Sequence, residues 1–277
     1  MSELALETLD AALRGKLDSC REILRQLGSV VLGFSGGVDS TLLLSLAVET
    51  LGRDKVLPVT SVSTIFPQRE LSSARRIAQR MRLELLELET PHLADPHFTS
   101  NPSDRCYYCK SELFGRLKKL AGERGLAAVI SGANADDPAD YRPGARAEQQ
   151  LGIRRPLMEA NLTKQDIRAA SKAMGLDTWN TPSRACLASR IPYGQEITAQ
   201  KLSRIEQAEY LLLDLGFTQC RVRDHDTIAR IEVLADEIPR LVQMRQTILS
   251  SLKATGYTYV VVDLQGFRSG SMNEVLR

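Results

Sequence analysis

Residues 30–41 read VVLGFSGGVDST, and the order of their residue types decides the fold. A short apolar run rich in valine gives way to two adjacent glycines. LLLSLAVETLG at 42–52 then continues as an apolar helical run closed by Gly52. Strand, glycine loop, helix is the reading. In such a junction the backbone N–H groups of the loop and of the helix N-terminus converge on one small volume, which attracts phosphate. Gly36 and Gly37 remove side chains so that the main chain can approach an anion, while Ser35 and Ser40 supply hydroxyl donors. Asp39 would repel a phosphate unless a cation lay between them, and so implies Mg²⁺. The lysine of GxxxxGK[ST] is missing, and the spacing is not GxGxxG either. The bland alternative is a tight βα turn in which Asp39 or Ser40 merely caps the helix.

Outward from this junction the same alternation continues. Upstream, ALETLDAALRGKLDSCREILRQLG at 5–28 spaces Leu and Ile as one amphipathic helix ending at Gly28. Downstream, KVLPVTSVS (55–63), LELLELE (83–89) and AAVISGANADD (127–137) read as strands, separated by helical LSSARRIAQRM (71–81) and KSELFGRLKKLAGERG (110–125). Alternating β and α implies a doubly wound parallel sheet with helices on both faces, an α/β fold. Its ligands belong at the carboxyl ends of the strands. The polar loop SGANADD, with Asn134, Asp136 and Asp137, should share the crevice, either positioning nucleotide or metal or forming an Asx-rich turn. LTKQDIRAASKAMGL (162–176) is a helix with Thr163 as N-cap. NTPSRACLASRIPYGQEIT (180–198) is a long functional loop. Beyond it the pattern becomes helix, strand pair, helix and strand. The expected division is therefore a first domain at 1–195 and a small α+β domain at 196–277, for substrate contacts or oligomerisation.

The chain has 277 residues, long enough for a full-size domain and a smaller one. With 43% hydrophobic and 25% charged residues it has the composition of a soluble protein. A net charge of +2 carries no basic excess of the kind that tracks nucleic acid. The first residues, MSELALETLDAALRGKL, lack an apolar signal core, and no stretch reaches the roughly 18 apolar residues of a membrane span. A cytoplasmic protein without nucleic-acid or membrane partners is expected. Its five cysteines, an odd count at irregular spacing, favour metal or thiol chemistry over a disulfide framework.

Two of these form RCYYCK at 105–110. Cys106 and Cys109 precede a predicted helix, and Cys186 lies in PSRACLASRIPYG between Arg184 and Arg190, which lower a thiol's pKa. Cys20, inside the first helix, and Cys220, opening a strand, fit small buried hydrophobes. A zinc site would want further ligands, and the histidines are His92, His97 and His225. Three thiolates, from Cys106, Cys109 and Cys186, would ligate three irons of a [4Fe-4S] cluster and leave the fourth iron open for an extra sulfide. A structural zinc, or a CxxC pair passing a persulfide, are the competing readings.

SGGVDS matches, residue for residue, the PP-loop of the ATP pyrophosphatases, whose members split ATP into AMP and pyrophosphate. With GFSGGVDSTLLL, RCYYCK, SGANADD, DYRPG, PSRACLASRIPYG and VDLQGFRSGSMNE, nearly the whole chain resembles the LarE family, the sulfur-insertion enzymes of nickel-pincer nucleotide biosynthesis. The resemblance implies ATP-dependent adenylation of the carboxylates of pyridinium-3,5-biscarboxylic acid mononucleotide, followed by replacement of AMP with sulfur. In one branch of the family the cysteine matching Cys186 surrenders its own sulfur. In the other, cysteines matching Cys106, Cys109 and Cys186 hold a [4Fe-4S] cluster. The implied ATP set is Ser35, Gly36, Gly37, Asp39, Ser40, Ser61, Gly132 and Asn134, with Mg²⁺ on Asp39. Arg184 and Arg190 join Cys186 in catalysis, and Arg221, Arg223, Glu209 and Glu232 contact substrate. A homohexamer working between an upstream carboxylase and a downstream nickel-insertion enzyme is also implied. The rivals are a tRNA thiolase, for which 5% aromatic residues offer a poor RNA platform, and a non-catalytic nucleotide sensor, which needs neither Asp39 nor the thiols.

Overall fold

The computed structural model describes residues 9–137, 143–182, 185–268 and 270–276; Arg184 and part of the DYRPG motif lie outside the described residues. Helix α1 (Ala11–Leu27) is capped by Asp10, whose side chain accepts from Leu13 N–H, and it stops at Gly28 with φ 75°. Strand β1 (Val30–Gly33) leads through the glycine loop into α2 (Val38–Leu51). The chain continues with β2 (Val56–Val62), α3 (Gln68–Arg80), β3 (Leu86–Glu89), α4 (Arg105–Arg124), β4 (Ala128–Ile130), α5 (Pro143–Gln150) and α6 (Lys164–Ala173). The four strands form one parallel sheet in the order β3-β2-β1-β4.

Val30, Val31 and Leu32 are wholly buried, as a central parallel strand covered on both faces requires. Val30 and Leu32 join Leu17 and Leu24 of α1 and Leu42, Leu43 and Leu46 of α2 on one face. Val31 joins Leu57, Val59, Phe114 and Leu117 on the other, where α4 packs. The doubly wound α/β reading is borne out. Because the chain runs outward from β1 to β3 and returns to pair β4 on the far side of β1, the order switches between β1 and β4. Ligands gather at such a point, outside the strands' carboxyl ends.

The remaining elements are α7 (Ala199–Asp214), β5 (Cys220–His225), β6 (Ile228–Val233), α8 (Ile238–Gln243), α9 (Arg245–Ala254) and β7 (Tyr259–Val262). Strands β5 and β6 form an antiparallel hairpin, and β7 adds in parallel to β6. One sheet face carries Val222, Ala229, Ile231 and Val233 into a core with Leu212, Phe217, Ile248 and Leu252. By the two-residue alternation of strands, the other face carries Arg221, Arg223, Arg230 and Glu232.

Contacts divide the chain into two compact units, and the second takes in Thr64–Pro67, Pro91–Arg105 and Arg184–Arg277. It therefore gathers more than the 196–277 segment expected from sequence. Leu187 N–H donates to Ile65 O at 2.8 Å, Gly194 N–H to Asn101 O at 2.9 Å and Ile197 N–H to Thr99 O at 2.9 Å. These bonds fasten two short excursions from the first part of the chain to the proline-rich loop. Helix α4 also begins earlier than expected: Cys106 and Cys109 are its second and fifth residues rather than ahead of it.

Candidate active site

The glycine loop has the shape its sequence demands. Gly36 has φ +71°, and a Cβ there would lie 3.1 Å from the backbone of Ala74 in α3, so only glycine lets the loop pass. Gly37 is the N-cap of α2 and offers no side-chain cap. The helix thus presents its first N–H groups, and the positive end of its dipole, with no protein side chain standing in as the anion. Ser35 Oγ and Ser40 Oγ are 3.1 Å apart, and Ser40 Oγ donates to Gly37 O at 3.2 Å. A Cβ on Gly132 would approach Ser40 N to 3.1 Å, which packs the end of β4 against the start of α2. Ser61, near the carboxyl end of β2, donates to Thr90 Oγ1 at 2.9 Å. Ser35, Gly36, Gly37, Ser40 and Gly132 are thus brought together. Ser61 belongs to the same sheet's carboxyl edge.

Asp39 is held from two sides: Asn134 Nδ2 donates to Oδ1 at 3.4 Å, and Lys164 Nζ pairs with Oδ2 at 2.5 Å. The SGANADD loop forms the Asx turn, with Asp136 N–H donating to Asn134 Oδ1 and Asn134 N–H to Asp137 Oδ2. It also serves the site, because Asp136 accepts from Lys164 N–H at 2.7 Å and so pins the start of α6. Sequence reasoning missed Lys164. The signal was available: Thr163 caps the helix as expected, in a full capping box with Asp166, so Lys164 is a cation at the first helical position. There the helix dipole disfavours it, which suggests a task outside the helix.

In α4, Cys106 is exposed and Cys109 half-buried, and neither is in a disulfide. Three residues apart on a helix, they share a face. Cys20 and Cys220 are buried, as expected; burial pushes the Cys20 thiol up to about 12, out of reach of thiolate chemistry. Cys186, half-buried, immediately precedes a short 3-10 turn at Leu187–Arg190. Among the described residues no three His, Cys, Asp or Glu side chains converge as a metal-binding group. What fits an iron-sulfur cluster here is a pair of accessible thiols in one helical turn.

Arg190, at 1% exposure, grips Glu209 with Nε and Nη2, both at 2.8 Å, while its Nη1 donates to Cys186 O at 2.8 Å. Glu209 also accepts from Val222 N–H at 3.0 Å. The carboxylate of α7 thereby ties the Cys186 loop to β5. Burial pushes Glu209 up, but the charge and hydrogen bonds of Arg190, with Arg221 beyond, outweigh it and hold the carboxyl below its ordinary value. Arg223 makes the same fork with Glu232, at 3.0 and 2.7 Å, and also takes Ser271 Oγ at 2.8 Å and Ser189 O at 3.1 Å. Arg221 donates to Cys220 O and lies over the Phe267 ring. Burial, with the charges of Arg190 and Arg223 and against the pull of Glu209, brings Arg221 down to about 10. These arginines are buried, not a solvated face.

A switch-point glycine turn with its helix uncapped, an aspartate at the third position after the glycines' first, and a lysine reaching that aspartate together define an α/β domain of the PP-loop class. The NAD synthase family profile matches residues 8–101. NH(3)-dependent NAD(+) synthetase of Pelodictyon phaeoclathratiforme is 33% identical over 84 residues, 30% of each chain. An uncharacterised protein of Synechocystis sp. is 40% identical over 95% of this chain and 99% of its own. Pyridinium-3,5-bisthiocarboxylic acid mononucleotide synthase of Lactiplantibacillus plantarum is 37% identical over 96% of each chain. The chain therefore belongs to the pyridinium-3,5-bisthiocarboxylic acid mononucleotide synthase, or LarE, family. No helix among the described residues is long and apolar enough to cross a membrane.

Proposed function

We propose that this chain is an ATP-dependent sulfur transferase acting on the two carboxylates of pyridinium-3,5-biscarboxylic acid mononucleotide. The observation that carries the reading is the PP-loop, with Asp39 held beside it, in a chain that matches the L. plantarum synthase over 96% of each length. A substrate carboxylate oxygen attacks the α-phosphorus of ATP; the bond to the β-phosphate oxygen breaks, giving acyl-adenylate and pyrophosphate. The N–H groups at the start of α2 and the hydroxyls of Ser35 and Ser40 bind the leaving phosphates. Asp39 would hold Mg²⁺, which supplies charge neutralisation between the phosphates. Lys164, displaced from Asp39 by the ion, would then offer its ammonium to the phosphates.

A sulfur nucleophile next attacks the activated carbonyl carbon, and the bond to the AMP oxygen breaks, leaving a thiocarboxylate. Two rounds give the bisthiocarboxylate. Cys106 and Cys109, with Cys186 as third thiolate, are the residues that would hold a [4Fe-4S] cluster, which would supply a labile sulfide from its open iron. Otherwise Cys186 Sγ attacks the activated carbonyl carbon and AMP leaves; loss of the Cα proton with cleavage of the Cβ–Sγ bond then releases the thiocarboxylate and leaves dehydroalanine at 186. Arg190 and Glu209 fix the backbone that presents Cys186, and Arg221 and Arg223 face the anionic substrate. The hexamer and the carboxylase and nickel-insertion partners implied by the resemblance belong to this same reading.

Incubating the protein with ATP, Mg²⁺ and the pyridinium dicarboxylate, with sulfide supplied, and following AMP, pyrophosphate and the substrate's mass tests it. Carboxylate-dependent AMP release with oxygen replaced by sulfur is expected. ATP cleavage dependent on tRNA instead, or none with either, would overturn it.

A further inference from the structure

At the end of the parallel sheet opposite the PP-loop, a cleft of about 300 Å³ opens beside the starts of β2, β3 and β4. Its floor is apolar, from Val56 and Leu57, both buried at the start of β2. Its rim carries arginines from separate segments: Arg53 in the 3-10 turn before β2, Arg82 between α3 and β3, and Arg124 at the end of α4. Asp54 and Glu84 stand on the same rim. Arg53 Nε donates to Met81 O at 3.1 Å. Among the described residues, neither Arg53 nor Arg82 nor Arg124 forms an ion pair with a carboxylate.

Arg82 occupies a position made for glycine. Helix α3 closes with Leu83 N–H donating to Ala78 O and Arg82 N–H to Gln79 O, both at 3.0 Å, a Schellman pattern that puts Arg82 in the left-handed region at φ 55°. Helices α4, α5, α6 and α7 close in the same way, with Leu126 N–H donating to Ala121 O, Ile153 to Glu148, Leu176 to Ser171 and Phe217 to Leu212. Their left-handed residues are Gly125, Gly152, Gly175 and Gly216. The other non-glycine residues at positive φ among the described ones are Asn101, Asn161 and Asp226, types that tolerate it. Arg82 has a Cβ that crowds its own backbone there, and among the described residues its side chain makes no hydrogen bond in return. Glycine would suit the turn better, so the guanidinium is kept for something other than the fold. It is kept on the rim of a cleft to which Arg53 and Arg124 are also brought, and Met81, whose carbonyl fixes Arg53, belongs to the same turn.

We propose that this cleft is an anion site separate from the PP-loop, which takes a phosphate group on Arg53, Arg82 and Arg124. Guanidinium forks match phosphate oxygens in charge and in geometry. The apolar floor suits the carbon part of a small ligand, and the volume lies at the small end of the range such sites occupy. Asp54 and Glu84 repel a bare polyanion and accept hydrogen bonds from hydroxyls, so a phosphorylated sugar is the chemistry that uses the whole rim.

Calorimetric titration of the full chain at low ionic strength with ribose 5-phosphate and, separately, with inorganic phosphate tests this in wild type, Arg82→Gly and Arg124→Gln. Arg82→Gly removes the guanidinium while giving the turn its preferred residue. It should therefore unfold at higher urea than wild type and yet bind ribose 5-phosphate about tenfold more weakly, with a similar loss in Arg124→Gln. Heat common to all three proteins belongs to the PP-loop, which every variant keeps. Tighter binding of ribose 5-phosphate than of phosphate assigns the site to a phosphorylated metabolite, and equal binding assigns it to the free ion. Three results overturn the proposal: binding of neither ligand to wild type, equal affinity in wild type and both variants, or a lowered urea midpoint in Arg82→Gly, which would make the arginine a stabiliser of its turn.

Discussion

At Lys164 a cation sits against a helix dipole and within 2.5 Å of the aspartate that would carry a metal. An ammonium kept there against local electrostatics is expected to work on the phosphates. Lys164→Met should lower ATP cleavage by about 10²-fold, the usual effect of deleting one charge-stabilising donor, and Lys164→Arg should restore part of it. Substrate-dependent AMP release is the measurement; an unchanged rate in Lys164→Met would leave the lysine with no more than a resting pair to Asp39. Gly36→Ala makes a different demand. It forces a Cβ to 3.1 Å from Ala74 and a non-glycine residue to φ +71°, so a loss of about 1–2 kcal/mol from the backbone alone, visible as a lowered urea midpoint, should accompany any loss of ATP affinity.

At the scale of elements, strands and helices were legible wherever periodicity or a cap spoke locally. Thr163 announced α6 with its capping box, and the Val and Leu run announced β1. The start of α4 was read five residues late, at Lys110, although Asp104, a residue type that caps helices, stands immediately before Arg105. Burial of the charged strand pair was not legible. CRVRDHD reads as a polar strand until the partners across the fold are known, and Glu209 lies in a helix whose sequence gives no sign that it meets Arg190. That fork should be costly to break: Glu209→Gln is expected to destabilise by about 3–5 kcal/mol, since it leaves Arg190 buried without its carboxylate.

The hairpin makes a pH prediction. Burial, then the charges of Arg230 and Arg223, hold His225 below its ordinary 6.5, with Asp224 and Asp226 pulling the other way. A depressed folded pKa means that the unfolded chain takes up the proton first on acidification. The stability concerned is present above pH 6.5 and is lost as the pH falls through the lower folded value. Urea unfolding at about pH 7.5 and about pH 5.5 should show a decline that His225→Gln reduces; an equal decline in both proteins would remove His225 from the account.

For the whole molecule the issue is where the sulfur comes from, and sequence and fold divide on how much they say. The nucleotide half was readable because one contiguous motif makes it. The sulfur half was not readable in that way, because Cys106 and Cys109 lie in one compact unit and Cys186 in the other, and no local signal in the chain joins them. The two chemistries make opposite demands on the same residues. A sacrificial donor needs Cys186 alone, and Cys106→Ala should then transfer sulfur at the wild-type level while Cys186→Ala transfers none. A cluster carrier needs all three, so either substitution should abolish transfer and also remove iron. Iron and acid-labile sulfide near four each per chain in protein purified without oxygen, with broad visible absorbance lost in Cys106→Ala, is the expected result. The adenylation half supplies the control, because neither cysteine belongs to the PP-loop: both variants should still release pyrophosphate in the presence of the dicarboxylate. A Cys106→Ala protein without iron that still completes the bisthiocarboxylate would place the sulfur on Cys186, and would leave the paired thiols of α4 without a part in the transfer.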